Sequence, residues 1–301
     1  MVRLTQSLRR FTVTSLLVAE GAFAQGEPSA AARDWTKIDQ ILGRMGNAQP
    51  NDVMRYAFPR SDLQVSVGGV AIKPAFALGS WIAFKPMRGS ASLVMGDLVL
   101  TEDELAPAIR ALQAGGVDQT AIHHHLIRET PRVLYMHIHA HGDPETIARA
   151  VHTALAATHT PIASPTPSAP AAAIDLDTAA IARALGVYGK VNGGVYQVSV
   201  PRKESIRENG MVVPASMGLA TAINFQPTGG GKAAIVGDFV MRAGEVNKVI
   251  RALQAGGIET TSLHSHLLAE EPRLFFMHFW ANDDAPKLAA TLRRALDELA
   301  H

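Results

Sequence analysis

The heptapeptide Arg110-Ala111-Leu112-Gln113-Ala114-Gly115-Gly116 returns unchanged at Arg251 to Gly257, an offset of 141 residues. Gly96-Asp97 answers Gly237-Asp238 at the same offset, and residues 120–141 share ten identities in 22 positions with residues 261–282. Upstream the offset drifts: Pro59-Arg60 answers Pro201-Arg202 at 142, and Pro74 answers Pro214 at 140. Small insertions in loops produce such drift. A period this long marks a duplicated domain and not a short solenoid repeat. The fold one copy takes must also suit the other, so the 301-residue chain divides into a first repeat domain over 35–157 and a second over 174–299. Between them, residues 158–173 read THTPIASPTPSAPAAA, a Pro/Ala-rich linker that favours extended backbone over a packed core.

The same element order is expected in each copy. A helix runs from Asp34 to Leu42 or from Asp177 to Leu185, stopped by Gly43 or Gly186. Strand-like runs follow at Val53–Phe58, Trp81–Phe84 and Ser92–Leu100, and at Val195–Val200, Ala222–Phe225 and Ala233–Met241. Thr101 with Glu104 is a capping box for a helix that ends at Gly115-Gly116. Two more strand-like runs, joined by a Pro-containing turn, precede a closing helix at Pro144–Ala156 or Ala285–Leu299. Hairpins mixed with helices imply an α+β fold: two homologous two-layer domains, each an antiparallel sheet with packed helices.

Composition excludes more than it selects. The formal net charge of +1 argues against nucleic-acid binding by bulk positive charge. The absence of cysteine removes disulfide scaffolds, thiolate metal sites, Cys nucleophiles and a lipid-modified N-terminal Cys. No run of 18 apolar residues forms a conventional membrane span. The N-terminus orders Arg3, Arg9 and Arg10, an apolar Phe11–Ala19 and the triplet Ala22-Phe23-Ala24 as a secretory signal peptide does. Residues 1–24 are therefore expected to be cleaved, placing the protein in the periplasm or outside the cell. Cleavage leaves 25 basic against 26 acidic residues, so the apparent basicity belongs to the signal.

Nine of the 12 histidines fall in the two aligned 22-residue segments. Both copies keep a His-x-His, at His123/His125 and His264/His266, and a later histidine, at His137 and His278. Residues two apart on a strand share a face. If each segment is a hairpin with His137 opposite His123 and His278 opposite His264, directly opposed Cβ atoms lie about 4.5–5.5 Å apart. Three imidazoles then converge, with His139 extending the first set. Three neutral imidazoles can hold Zn²⁺ and leave a position for water. A helical reading of the His-x-His segment would break that face, and a structural polar network is the plainer alternative. Zinc is the preferred metal, with copper or none as alternatives. Met136 and Met277 are expected to point away from the histidines into the core.

Glu129 and Glu270, near the expected turn, are candidates for a fourth ligand or a general base. Arg132 and Arg273 could fork onto a ligand carboxylate or pair within the domain, and Trp280 could wall a ligand pocket in the second copy. Asp97 and Asp238 could orient a ligand histidine or simply make a turn. Gly229-Gly230-Gly231-Lys232 lacks the spacing of a phosphate loop and reads as a hairpin tip.

HSHLLAEEPRLFFMHFWAND, preceded by GDFVMRAGEVNKVIRALQAGGIETTSL, resembles the LppY/LpqO family of exported bacterial proteins, a duplicated domain of unknown function. The resemblance spans 35–299 and matches the family pattern at His264, His266, Glu271, Pro272, Arg273 and His278. It implies export and a two-copy architecture and carries no activity with it. The lipid anchor described for mycobacterial members has no cysteine to attach to here. The expected function is an exported metal- or ligand-binding protein acting through the duplicated His-x-His hairpin. A metal-dependent envelope hydrolase and a metal-free module for an envelope polymer or small ligand are the alternatives.

Overall fold

The computed structural model describes residues 33–163 and 173–299; the expected signal peptide lies outside them. The first repeat begins with α1 (Thr36–Leu42), which closes on Gly43 at φ 69. Next come β1 (Asn47–Gln49), β2 (Val53–Pro59), β3 (Gly79–Pro86), β4 (Ser92–Leu100), α2 (Glu102–Ala114), β5 (Asp118–His123), β6 (Leu134–Gly142) and α3 (Pro144–Ala156). The second repeat follows the same order with α4 (Thr178–Leu185), β7 (Lys190–Asn192), β8 (Val195–Pro201), β9 (Ala220–Gly229), β10 (Lys232–Met241), α5 (Ala243–Ala255), β11 (Glu259–His264), β12 (Phe275–Asp284) and α6 (Ala285–Asp297). Each repeat is one six-stranded antiparallel sheet, ordered β1-β2-β3-β4-β6-β5 and β7-β8-β9-β10-β12-β11. The two-copy α+β architecture expected from the repeat is the one observed.

Strand alternation gives each sheet two buried faces. On β6, Met136, Ile138 and Ala140 join the core under the first repeat's helices. On β12, Met277, Phe279 and Ala281 do the same in the second, where α6 supplies Leu288, Leu292 and Leu296 at helical spacing. Burying such a leucine fully contributes about 1.5–3 kcal/mol. The methionines thus face away from the histidines, as alternation requires.

The opposite faces are closed reciprocally. Ser66–Val67 and Val70–Ala71 pair with Glu129–Thr130 to form a short three-stranded ribbon in the first repeat. Val65, Val67, Ile72 and Phe76 from this region pack on Val195, Ala234, Val236 and Trp280 of the second repeat's sheet. The matching ribbon of the second repeat, Arg207–Glu208 and Met211–Val212 with Glu270–Glu271, leads into Ile206, Val213, Met217 and Leu219, which cover Val53, Ala83, Leu93 and Met95. Helices therefore form the outer layers and the two sheets turn their second faces toward one another.

A buried charge pair anchors each copy. Arg60 donates to Glu104 at 2.7 Å and to the Val99 carbonyl at 2.7 Å; Arg202 does likewise to Glu245 at 2.7 Å and Val240 at 3.0 Å. Glu104 also accepts the Thr101 amide at 2.9 Å, so the helix cap and the ion pair are one device. It accepts the His159 amide as well, at 2.8 Å. Arg44 donates to the carbonyls of Pro161, Ile162 and Ala163. The described start of the Pro/Ala-rich segment accordingly lies against the first repeat, held by these polar contacts and by Ile162, which packs on the edge of the first repeat's core.

Candidate metal centre between the repeats

β5 and β11 are edge strands, and the two His-x-His segments run off their ends. The hairpin registers are shifted by two residues from the expected ones. Tyr135, not His137, lies opposite His123, and His137 lies opposite Ala121. Phe276 lies opposite His264 and Ser262 opposite His278. Each hairpin strand carries a register irregularity, between Gln119 and Ala121 and between Thr260 and Ser262. A shift of two keeps every histidine on its expected face. His125 and His266 lie just beyond the strands, so the segment is neither wholly strand nor helix.

The shift has a larger consequence: imidazoles meet across the repeats. His123 stacks on His264 with ring centroids 3.7 Å apart. His125 lies against His278 at 3.8 Å, and His137 against His266 at 3.8 Å. Three groups have ligand atoms within 4.8 Å of one another: His123/His125/His278, His123/His137/His264 and Asp238/His264/His266. The sequence pattern suggested three imidazoles from one hairpin; the fold instead gives each His-x-His the third histidine of the other copy. Thr120 donates to the His266 carbonyl at 2.6 Å and Thr261 to the His125 carbonyl at 2.7 Å, tying the loops together reciprocally.

Three of the rings are held by their Nδ1 edges. His137 Nδ1 is 3.3 Å from the Gly96 carbonyl, His278 Nδ1 2.7 Å from that of Gly237, and His266 Nδ1 3.0 Å from that of Gly218. A carbonyl can only accept, so Nδ1 carries the proton and Nε2 keeps its lone pair. Nε2 of His123, His125, His137, His264, His266 and His278 is buried without a hydrogen-bond partner among the described residues. Gly96 and Gly237 are required where they stand: a Cβ would meet the Trp81 carbonyl at 2.7 Å in one case and the Ala222 carbonyl at 2.1 Å in the other.

The aspartates after those glycines complete the chemistry. Asp97 Oδ2 approaches His125 Nε2 at 3.4 Å, and Asp238 Oδ2 approaches His266 Nε2 at 3.0 Å. Burial pushes the imidazole pKa values down at all six rings, to about 3 for His266. Burial, opposed by the His123 charge and reinforced by Asp97, pushes the Asp238 carboxyl up to about 8. Neutral imidazoles with bare Nε2 lone pairs beside carboxylates are donors suited to zinc, copper or nickel.

The other candidates lie elsewhere. His139 reaches across to Glu208 at 2.6 Å and belongs to none of the three groups. Glu270 accepts the Leu274 amide at 3.0 Å and pairs with Arg273 at 3.2 Å, so it shapes the turn before β12. Glu129 is buried in the corresponding place, and neither glutamate joins a metal-competent group. Arg132 is exposed. Arg273 borders a surface cleft of about 660 Å³ that includes no histidine of the centre. Trp280 is 8% exposed and packs edge-on against Phe76 at 6.1 Å, as interdomain core. Sequence reasoning left Tyr135 unassigned; its ring stacks on His125 at 3.4 Å and its hydroxyl is buried without a hydrogen-bond partner among the described residues. The repeated Gly-Asp was the available signal for the aspartates.

Comparison with known proteins adds family membership. The family model described as Domain of Unknown Function (DUF1259) matches residues 36–157 and again 179–298, and the chain belongs to that family. No curated protein matches. Among solved structures, a trimeric bacterial microcompartment shell protein, PduB, is 12% identical, covering 82% of this chain and 88% of its own at a TM-score of 0.19. EtuB from Clostridium kluyveri is also 12% identical, covering 83% and 90% at a TM-score of 0.19. Likenesses at that level carry no argument here.

Proposed function

We propose that this member of the DUF1259 family is an exported metal-binding protein whose centre is built from both repeats. The reading is carried by one observation: six imidazoles whose Nε2 atoms are buried without hydrogen-bond partners among the described residues fall into groups with a ligand nitrogen or carboxylate oxygen of each member within 4.8 Å of the others. Leaving that many buried polar atoms unmet is costly, and a divalent cation satisfies several lone pairs at once. A structural polar network would pair more of these nitrogens internally: only His125 and His266 have a carboxylate oxygen near Nε2, at 3.4 and 3.0 Å. Zinc is the preferred ion, because the donors are neutral nitrogens and carboxylates and both neighbouring methionines point into the helix-side cores. Neither Glu129 nor Glu270, the bases the hydrolase alternative names, joins a metal-competent group among the described residues. Export rests on the N-terminal segment order alone.

The test is metal content of untagged protein recovered from the periplasm without chelator, beside His264→Ala/His266→Ala. At least one equivalent of metal, with a clear loss in the variant, is expected, together with an N-terminus at Gln25. A folded wild-type chain that takes no metal even after reloading would overturn the reading.

A further inference from the structure

The centre is built twice around a pseudo-twofold relation. An offset of 141 exchanges His123 with His264, His125 with His266, His137 with His278 and Asp97 with Asp238. The cross-repeat contacts obey the same exchange: His125 meets His278 and His137 meets His266, both at 3.8 Å. The carboxylates obey it too, Asp97 beside His125 and Asp238 beside His266. In each aspartate Oδ2 approaches the ring while Oδ1 is buried with no hydrogen-bond partner among the described residues. The stacked His123–His264 pair stands between the two sets.

Resting on the metal reading above, we propose that the centre binds two divalent transition-metal ions, one at His123, His125 and His278 with Asp97, the other at His137, His264 and His266 with Asp238. Each set offers three imidazoles and one carboxylate, the number a four-coordinate ion takes: His123, His125 and His278 form one group within 4.8 Å, with Asp97 beside His125, while Asp238, His264 and His266 form another, with His137 joined through His264. A single ion satisfies at most four or five of the donors present and leaves the symmetry-related set with bare lone pairs and a buried carboxylate. Two ions meet both sets. The sites differ in one neighbour: Tyr135 stacks on His125 at 3.4 Å where Phe276 stacks on His266 at 3.5 Å. The first site alone therefore has a phenol beside it, and the two ions occupy unequal surroundings.

The experiment is titration of the chelator-treated full chain with Co²⁺, read by visible absorption and by bound metal after desalting. The wild type is expected to bind two equivalents, His278→Gln and His137→Gln one each, and the double variant none. Tyr135→Phe should keep two equivalents and change the spectrum of one ion only. One equivalent in the wild type, lost in either single variant, overturns the two-site inference and leaves the metal reading standing. No binding by a folded wild-type chain overturns both. Wild-type stoichiometry decides the matter even if a variant misfolds.

Discussion

The two halves of the centre share their imidazoles and aspartates but not their surroundings. Beside the first set Tyr135 stacks on His125; beside the second Phe276 stacks on His266. Four residues further along the same strands, His139 pairs with Glu208 of the second repeat, whereas the equivalent Trp280 packs with Val67 of the first in an apolar cluster. One interdomain contact is a His–Glu polar pair and its mirror image is hydrocarbon. The ligand sets have stayed alike while the walls diverged. The polar half carries a phenol and a His–Glu pair that can tune an ion's environment; the apolar half is a drier support.

The largest expected effect tests what the halves have in common. In metal-free protein the six buried rings stay neutral, so below about pH 6.5 the unfolded chain takes up protons that the folded chain refuses. Stability then falls as pH falls, by roughly 2 kcal/mol at pH 5 from His266 alone. Asp238 works the other way: its folded pKa of about 8 holds a proton the unfolded residue releases, so the cost of burying it eases on acidification through pH 8. Six rings outweigh one carboxyl. Urea unfolding of the metal-free chain should show a lower midpoint at pH 5 than at pH 7.5; equal midpoints would mean that the rings are not buried as described.

The anchoring pairs come next. Arg60→Ala strands Glu104 and should cost about 3–5 kcal/mol, the usual penalty for breaking a buried pair. Arg202→Ala should cost less. Its partner Glu245 is the more exposed of the two glutamates, with 8% of its side-chain surface open against 2%. Denaturant midpoints compare the two directly, and the reverse ranking would break the account.

The walls can be exchanged. His139→Trp with Glu208→Val copies the apolar contact onto the polar half and should be neutral or stabilising by about 1–4 kcal/mol, because well-packed hydrocarbon often outdoes a buried polar pair. His139→Trp alone leaves Glu208 buried and should destabilise by about 1–3 kcal/mol. The smallest effect is that of Tyr135→Phe on the metal-free chain: removing a buried hydroxyl without a partner should change stability by no more than about 1 kcal/mol, in the stabilising direction. A clear loss would show that the hydroxyl has a partner.

Much of this was legible in the sequence, for local reasons. Gly43, Gly186, Thr101 and the period-two runs mark helix ends and strands through short-range chemistry. Facing residues were also legible, because a register error of two leaves a side chain on its face; His137 and His278 kept theirs while losing their expected partners. The cross-repeat sharing was not legible, because no local pattern says which sheet face meets which. Asp97 and Asp238 could have been weighed more heavily: a Gly-Asp that recurs at the offset of the histidines shares their frame. Tyr135 and Glu208 gave no repeat signal, since their equivalents are Phe276 and Val67.

The account's central claim is that each ion is held by both repeats. A crystal structure of zinc-loaded protein with an anomalous difference map at the zinc edge tests it most directly. The account predicts a peak about 2.0–2.1 Å from Nε2 of His123, His125 and His278, ligands drawn from both copies. A peak ligated by His123, His125 and His137 alone, or no peak at the centre, would contradict it.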